Sequence, residues 1–264
     1  MKSNIHIHTE LCGHAEGLPV DYVKQAVALN YDAIGISDHC PFVGDGLPER
    51  MKFELLPEYV RLVNEAKKQF EGKIKVYTGL EAEYFSCYRS YYDWLLEKGQ
   101  IEYLILGQHY AVSDDCRLNW LFDRRFSDEW LTIYVGNVIE AMKTGMFSCI
   151  AHPDLYTISD ITKFSNFRQE TDRLINAALK EDAVLELNAN GIRKGLVQFE
   201  SGERYQYSTD IFWREIAKAN VKVVIGADAH LPEVIYDEAV RECEELADNL
   251  KLNLITNPIE CLKL

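Results

Sequence analysis

All seven histidines of this chain stand at or just beyond the carboxyl end of a short apolar segment. These segments alternate with amphipathic stretches, so the 264 residues divide into seven strand-then-helix units. Such alternation predicts a parallel sheet with its helices packed outside. In a closed parallel barrel the carboxyl ends of the strands converge on one face. The histidines are therefore expected to meet at a single site.

The first segment carries three of these histidines, His6, His8 and His14. Side chains alternate along an extended strand, so His6 and His8 share one face while Ile5 and Ile7 share the other. A His-x-His pair offers two imidazole nitrogens from one rigid element to a divalent ion, and His14 follows in a glycine-containing loop. The alternative is a strand with two solvent-facing histidines.

The remaining units follow in regular order. Strands are predicted at the first segment and then at 32–37, 74–80, 101–106, 147–151, 183–190 and 221–225. Helices are predicted at 19–30, 55–70, 88–98, 128–144, 166–180, 210–219 and 233–250, with Ser127 as an N-cap. The segment 110–126 is aromatic and charged and shows no clear hydrophobic periodicity, which predicts a loop or lid. We expect an α/β fold, a closed or nearly closed barrel in one domain of residues 1–264, with an open doubly wound sheet as the alternative.

Composition excludes several classes of function. The net charge of −14 and a pI near 5.0 argue against a nucleic-acid partner. No apolar run approaches the length of a membrane span, and no signal peptide is recognisable. The seven cysteines are odd in number and include no C-x-x-C pair, which indicates reduced thiols and a cytoplasmic protein. The sequence carries no signal for an oligomeric state.

Carboxylates accompany the histidines at the strand ends. The later candidate ligands are Asp38, His39, Glu81, His109, His152, Asp228 and His230. They are too many for one ion that must keep an open position, so two or three ions are expected. We expect Glu81 to bridge two of them. Asp38 either coordinates an ion or orients an imidazole. Cys12 and Cys40 are interpreted as small buried side chains rather than ligands.

These motifs resemble those of a known family. In chain order they are H-x-H-T with a further histidine six residues on, S-D-H, G-L-E, G-Q-H, A-H-P and G-A-D-A-H. This order closely resembles the PHP (polymerase and histidinol phosphatase) superfamily. The longer strings at 37–42, 79–83, 151–154 and 187–195 look like its stand-alone histidinol-phosphatase branch.

The resemblance implies a distorted (β/α)7 TIM-like barrel with its metal site at the carboxyl ends of the strands. It implies two to three divalent ions, commonly zinc, manganese or iron. The first ion would be held by His6, His8, Glu81 and Asp228. The second would be held by Glu81, His109 and His152. The third would be held by His14, His39 and His230.

The implied activity is hydrolysis of the small phosphate monoester L-histidinol phosphate, in histidine biosynthesis, by attack of a metal-bridging hydroxide. Glu81, Asp38 and His39 are the expected catalytic residues, with Asp38 or a metal-bound water as general acid. His14 and His230 are expected to contact the phosphate with the third ion. The alternatives are a PHP phosphodiesterase, nuclease or phosphatase acting on nucleotides or oligonucleotides, and a non-catalytic metal-stabilised module.

Arg193 is expected to bind the phosphate as well. It follows the sixth strand among small residues, and a guanidinium can bind phosphate in a bidentate manner. The alternative is a solvated surface arginine. The long loops supply acidic and aromatic candidates for the cationic tail of the substrate: Phe42, Asp45, Tyr84, Tyr110, Trp120 and Glu200.

Overall fold

The computed structural model describes residues 3–44, 47–115, 117–123 and 126–264. Its main sheet has eight parallel strands in chain order: β1 (Ser3–Asn4), β2 (Ala33–Ile36), β3 (Lys75–Ala82), β4 (Tyr103–Leu106), β5 (Phe147–Ile150), β6 (Leu185–Asn188), β7 (Lys222–Gly226) and β8 (Asn253–Leu254). Beyond the ends of β1 and β7, a parallel bridge between Ile7 and Ala229 joins the two sides of the sheet. The predicted distorted (β/α)7 TIM-like barrel is confirmed, with β8 added beside β7.

The helices follow the strands as the alternation predicts. They are α1 (Pro19–Ala28), α2 (Leu56–Gln69), α3 (Arg89–Glu97), α4 (Asp128–Thr144), α5 (Phe167–Lys180), α6 (Ala189–Arg193), α7 (Asp210–Ala219) and α8 (Glu238–Leu250). Ser127 caps α4 as predicted, because its side chain accepts a hydrogen bond from the Trp130 N–H. Each amphipathic helix buries its apolar face toward the sheet and its neighbours.

Three departures from the predicted elements bear on the site. The third strand runs to Ala82, so Glu81 lies inside it rather than after it. Glu81 still pairs with Ile105 of β4 on one side and with His39 on the other. Residues 189–193 form the short helix α6 instead of the end of a strand. The expected loop 110–126 contains a hairpin of Tyr110–Val112 and Leu118–Trp120.

The amino ends of the strands are closed by apolar packing. Tyr103 and Ile105 of β4 pack with Ile5, and the hydroxyl of Tyr103 donates to the Ile5 carbonyl at 2.8 Å. The ring fits because β3 has no side chain at Gly79, where a Cβ would lie 2.2 Å from it. The histidines and carboxylates singled out from the sequence lie toward the opposite, carboxyl ends of the strands.

Within these ranges no helix is both long enough and apolar enough to cross a membrane.

Six of the seven cysteines fall among the described residues, and each is a free thiol. This agrees with the predicted reduced thiols, while Cys116 lies outside the described residues. The cytoplasmic location stays a prediction.

Candidate metal centre

The carboxyl ends of the barrel strands bring the imidazoles together. The ring of His8 lies 4.3 Å from that of His39 and 4.3 Å from that of His230, measured between centroids. The rings of His109 and His152 lie 4.8 Å apart. Because these side chains come from distant parts of the sequence, only the barrel topology explains their proximity.

Glu81 lies at the middle of this cluster and is almost fully buried. Its Oε1 is 2.8 Å from Nε2 of His152 and 3.5 Å from Nε2 of His6. Its Oε2 is 2.8 Å from Nδ1 of His39 and 3.5 Å from Nε2 of His8. Nε2 of His109 lies 3.9 Å from Oε1, so one carboxylate faces five imidazoles, three with Oε1 and two with Oε2, as a bridging ligand requires.

Two glycines make room for buried carboxylates in the barrel. A Cβ at Gly107 would lie 1.9 Å from Oε1 of Glu81, and a Cβ at Gly226 would lie 1.8 Å from Oε1 of Glu186. Neither position tolerates a side chain while these carboxylates keep their places. The G-Q-H and G-A-D-A-H motifs thus carry glycine for a packing reason.

Several compact sets of candidate ligands share this space. Among the described residues, five sets of three bring one ligand atom from each member within 4.8 Å of the others: His6, His8 and Glu81; His6, His152 and Asp228; Glu81, His109 and His152; His8, His39 and His230; and His8, Cys12 and Asp38. The first set falls within the first expected ion site and the third set contains the residues of the second expected site, whereas the second set joins residues of both.

The donor set fits divalent ions. Nε2 of His6, Nε2 of His8 and Oε2 of Glu81 are buried without a hydrogen-bond partner in the described part of the chain. Buried polar atoms are normally satisfied, so such a group marks a place for a ligand. Imidazole nitrogens with carboxylate oxygens suit zinc, manganese or iron.

His14 departs from the expected third set. It is exposed, and His8 rather than His14 forms a compact set with His39 and His230. Nε2 of His14 nevertheless lies 3.0 Å from Nε2 of His230, at the edge of the cluster. The structure thus places His14 beside His230 but outside the compact sets.

The electrostatics of the cluster favour positive charge. Burial raises the pKa of Glu81, but the charges of His39 and His6 outweigh it and hold that pKa well below its usual range. Burial lowers the pKa of His8, yet the nearby carboxylates of Asp228 and Asp38 outweigh it and raise the pKa to about 9. The cluster therefore keeps its carboxylates ionised and attracts cations, which is the environment of a metal site.

Asp38 is a buried carboxylate that contacts residues of the cluster. Its carboxylate is fully buried and accepts hydrogen bonds from the backbone N–H groups of Thr9 at 3.2 Å and His39 at 2.9 Å. Its Oδ1 lies 3.6 Å from Nδ1 of His8. Of the two expected roles of Asp38, these contacts favour orientation of the His8 imidazole over direct coordination of an ion.

Sequence reasoning missed two further buried carboxylates. Oε1 of Glu186 lies 2.8 Å from Nδ1 of His6, and its Oε2 accepts from the His152 backbone at 3.2 Å. Oε1 of Glu83 lies 2.8 Å from Nδ1 of His109. The available signals were a lone carboxylate in the apolar strand β6 and a second glutamate, Glu83, directly after the end of β3 and two residues beyond Glu81.

Replacing Glu186 with glutamine is expected to weaken metal binding about ten- to a hundredfold, because the His6 imidazole loses the carboxylate that fixes its orientation. Competition with a chromogenic chelator measures this affinity. Glu203→Gln removes the same charge from an exposed position and is expected to leave the metal affinity unchanged. Equal affinities for Glu186→Gln and the wild type would show that His6 needs no such partner.

A cavity of about 460 Å³ opens over the cluster. Its floor includes Glu81 and several of the histidines, and its walls are formed by Pro48, Glu49, Arg50, Tyr110, Trp120, Phe122, Leu155, Asn190, Lys194 and Tyr207. Of the candidates for the substrate tail, Tyr110 and Trp120 line this cavity. Phe42 and Tyr84 line a separate groove, Glu200 lines another, and Asp45 lies outside the described residues.

Arg193 is not among the residues that line this cavity. It lies in the last turn of α6, and its Nε donates to Asp237 at 2.7 Å. The other four N–H groups meet acceptors on Asn190, Ala227, Val234 and Asp237. All five donors are engaged within the protein, so the expected phosphate contact has no geometric support here. The reason is that helix α6 replaces the expected strand end and turns the side chain toward α8.

Comparisons with known proteins identify the family of this chain. Residues 4–190 match the model of the PHP domain family. A probable histidinol-phosphatase of Deinococcus radiodurans is 27% identical over 251 residues, covering 91% of this chain and 92% of that protein. The histidinol-phosphatase of Bacillus subtilis is 23% identical over 256 residues, covering 87% and 93%.

Solved structures show the same fold. The histidinol phosphate phosphatase of Lactococcus lactis, complexed with zinc, L-histidinol and phosphate, has a TM-score of 0.71 at 18% identity, covering 97% of this chain and 96% of that one. A putative histidinol phosphatase of Listeria monocytogenes has a TM-score of 0.70 at 19% identity, covering 92% and 100%. The resemblance read from the motifs, to the superfamily and to its histidinol-phosphatase branch, is confirmed.

Proposed function

Since this chain belongs to the PHP domain family, we propose that it is a metal-dependent phosphatase that hydrolyses L-histidinol phosphate to L-histidinol and inorganic phosphate. The observation that carries the proposal is the cluster of imidazoles and carboxylates at the floor of a cavity. The names of the relatives that match along most of this chain support the choice of substrate.

We further propose three ion sites for zinc, manganese or iron. Bound ions would supply Lewis acidity toward a phosphoryl oxygen and a water of lowered pKa. Two sites would share Glu81, with His6, His8 and Asp228 on one side and His109 with His152 on the other. The third would use His39 and His230, together with His8 or His14. The position of Glu81 supports its role as the ligand shared by two ions, because both of its oxygens already face imidazoles.

The chain's own residues are proposed to act by position and charge. Glu81 stays ionised, so it is available to two cations at once. Asp38 fixes the orientation of His8 and the backbone of His39. The apolar packing around Tyr103 closes the barrel beneath them and keeps water to the cavity side.

The walls of the cavity suit a substrate that is anionic at one end and cationic at the other. Trp120 and Phe122 form an aromatic pair with ring centroids 4.8 Å apart. Aromatic faces attract cations, and the exposed carboxylate of Glu49 also lines the cavity. We propose that these residues receive the amine and imidazole of the substrate.

We propose that the domain covers residues 1–264 rather than ending with the matched range. Strand β7 belongs to the same sheet as β1–β6, and Asp228, which follows it, shares a ligand set with His6 and His152. The barrel and its centre therefore need the part of the chain after residue 190.

Steady-state phosphate release tests the activity. Zinc- or manganese-loaded protein is assayed with L-histidinol phosphate beside sugar phosphates, nucleotides, a chromogenic phosphodiester and short DNA. We expect kcat/KM for L-histidinol phosphate to exceed all others by about a hundredfold, near 2.7 kcal/mol of discrimination. Preference for the diester or for DNA would instead indicate a phosphodiesterase, and no turnover at all would indicate a structural metal module.

A further inference from the structure

An arginine that sequence reasoning did not select lines the metal cavity. Arg50 lies in the loop between β2 and α2, and only 7% of its side chain is exposed. A buried guanidinium is costly unless its charge and its N–H groups are satisfied. The partners of Arg50 therefore indicate what the side chain is placed to do.

The charge of Arg50 is balanced by Glu83, which also holds a candidate metal ligand. Nη2 of Arg50 contacts Oε1 of Glu83, and the same oxygen lies 2.8 Å from Nδ1 of His109. Oε2 of Glu83 accepts a hydrogen bond from the His109 backbone at 2.8 Å. Arg50, Glu83 and His109 thus form a chain of contacts from the cavity wall to the metal centre.

The remaining donors of Arg50 are not used by the described part of the protein. Nη1 donates to the Pro48 carbonyl at 2.9 Å, and Nη2 donates to Glu83. Nε is buried, and no hydrogen-bond partner for it occurs among the described residues. Arg193 differs in both respects, since all of its donors are engaged and it does not line the cavity.

We propose that Arg50 binds an oxygen of the substrate's phosphoryl group through its unused N–H donors, while its contact with Glu83 holds His109 in place for the metal. The inference rests on the proposed phosphatase function but not on histidinol phosphate as the substrate. A planar guanidinium suits this task because it can keep one carboxylate partner and still donate to an oxyanion. Arg50 thereby replaces Arg193 as the phosphate-binding arginine.

The test measures binding of inorganic phosphate to the zinc-loaded protein by isothermal titration calorimetry. In Arg50→Gln the dissociation constant is expected to rise about ten- to a hundredfold, the loss expected for a hydrogen bond to a charged group. Arg50→Lys keeps a cation beside Glu83, so we expect wild-type zinc content by elemental analysis with phosphate binding still weakened. Arg89→Gln makes the same charge change on an exposed helix surface and is expected to bind phosphate normally.

The outcomes separate this proposal from its rivals. Wild-type phosphate affinity in both Arg50 variants at full zinc content would overturn it, and so would weakening only in Arg193→Gln. Should Arg50→Gln fail to fold, Arg50→Lys decides alone. If L-histidinol phosphate is inert but the wild type binds inorganic phosphate through Arg50, the substrate assignment falls and the arginine assignment stands.

Discussion

Replacing Glu81 with glutamine is expected to lower the rate of phosphate release about a thousandfold and to remove at least one bound metal ion. The glutamine amide is neutral, and only one of its two polar atoms can accept or coordinate. The five imidazoles that now face two carboxylate oxygens would then share a single oxygen. Loss of one electrostatic contact in an active site typically costs about 3–4 kcal/mol, which corresponds to a few hundred- to a thousandfold.

Two measurements accompany the Glu81→Gln assay. Metal content is determined after gel filtration, and circular dichroism shows whether the barrel has formed. Glu97→Gln, which neutralises an exposed carboxylate at the end of α3, should leave both rate and metal content unchanged. A fully active Glu81→Gln enzyme with its metal retained would show that Glu81 is not the shared ligand.

The gross arrangement of this centre could be predicted from sequence because barrel topology fixes it. Each ligand follows or ends a strand, and parallel strands in a closed barrel bring their carboxyl ends to one face. His6 and Asp228 are far apart in the chain, yet their side chains lie 3.6 Å apart for this reason. No knowledge of individual side-chain contacts was needed for this step.

Contacts that depend on loops and local helices could not be predicted in the same way. Arg193 was expected at the phosphate, but residues 189–193 form a helical turn that directs it to Asp237. The pairing of Arg50 with Glu83 joins the loop after β2 to the residue that follows β3, and no periodicity encodes it. Glu186 carried a signal, since a carboxylate in a buried strand must have a partner, but its partner His6 lies 180 residues away.

Removal of the metal ions is expected to abolish phosphate release and to lower the unfolding temperature by at least about 5 °C. Ligands that bind only the folded protein stabilise it by mass action, by about 2.7 kcal/mol for one site at a hundredfold excess over its dissociation constant. For a chain of this size each kcal/mol shifts the midpoint by about 2–4 °C. The effect should be large here because Nε2 of His6, Nε2 of His8 and Oε2 of Glu81 are buried without a hydrogen-bond partner in the described part of the chain.

Differential scanning calorimetry before and after chelator treatment measures this shift, and the added ion tests its origin. Zinc or manganese should restore both the midpoint and phosphate release, since imidazole ligands suit these ions. Magnesium prefers all-oxygen, octahedral sites and serves as the matched control, with little recovery expected. An unchanged midpoint after complete metal removal would mean that the imidazoles and carboxylates satisfy one another without ions. Recovery with magnesium alone would mean that the carboxylates, not the histidines, dominate binding.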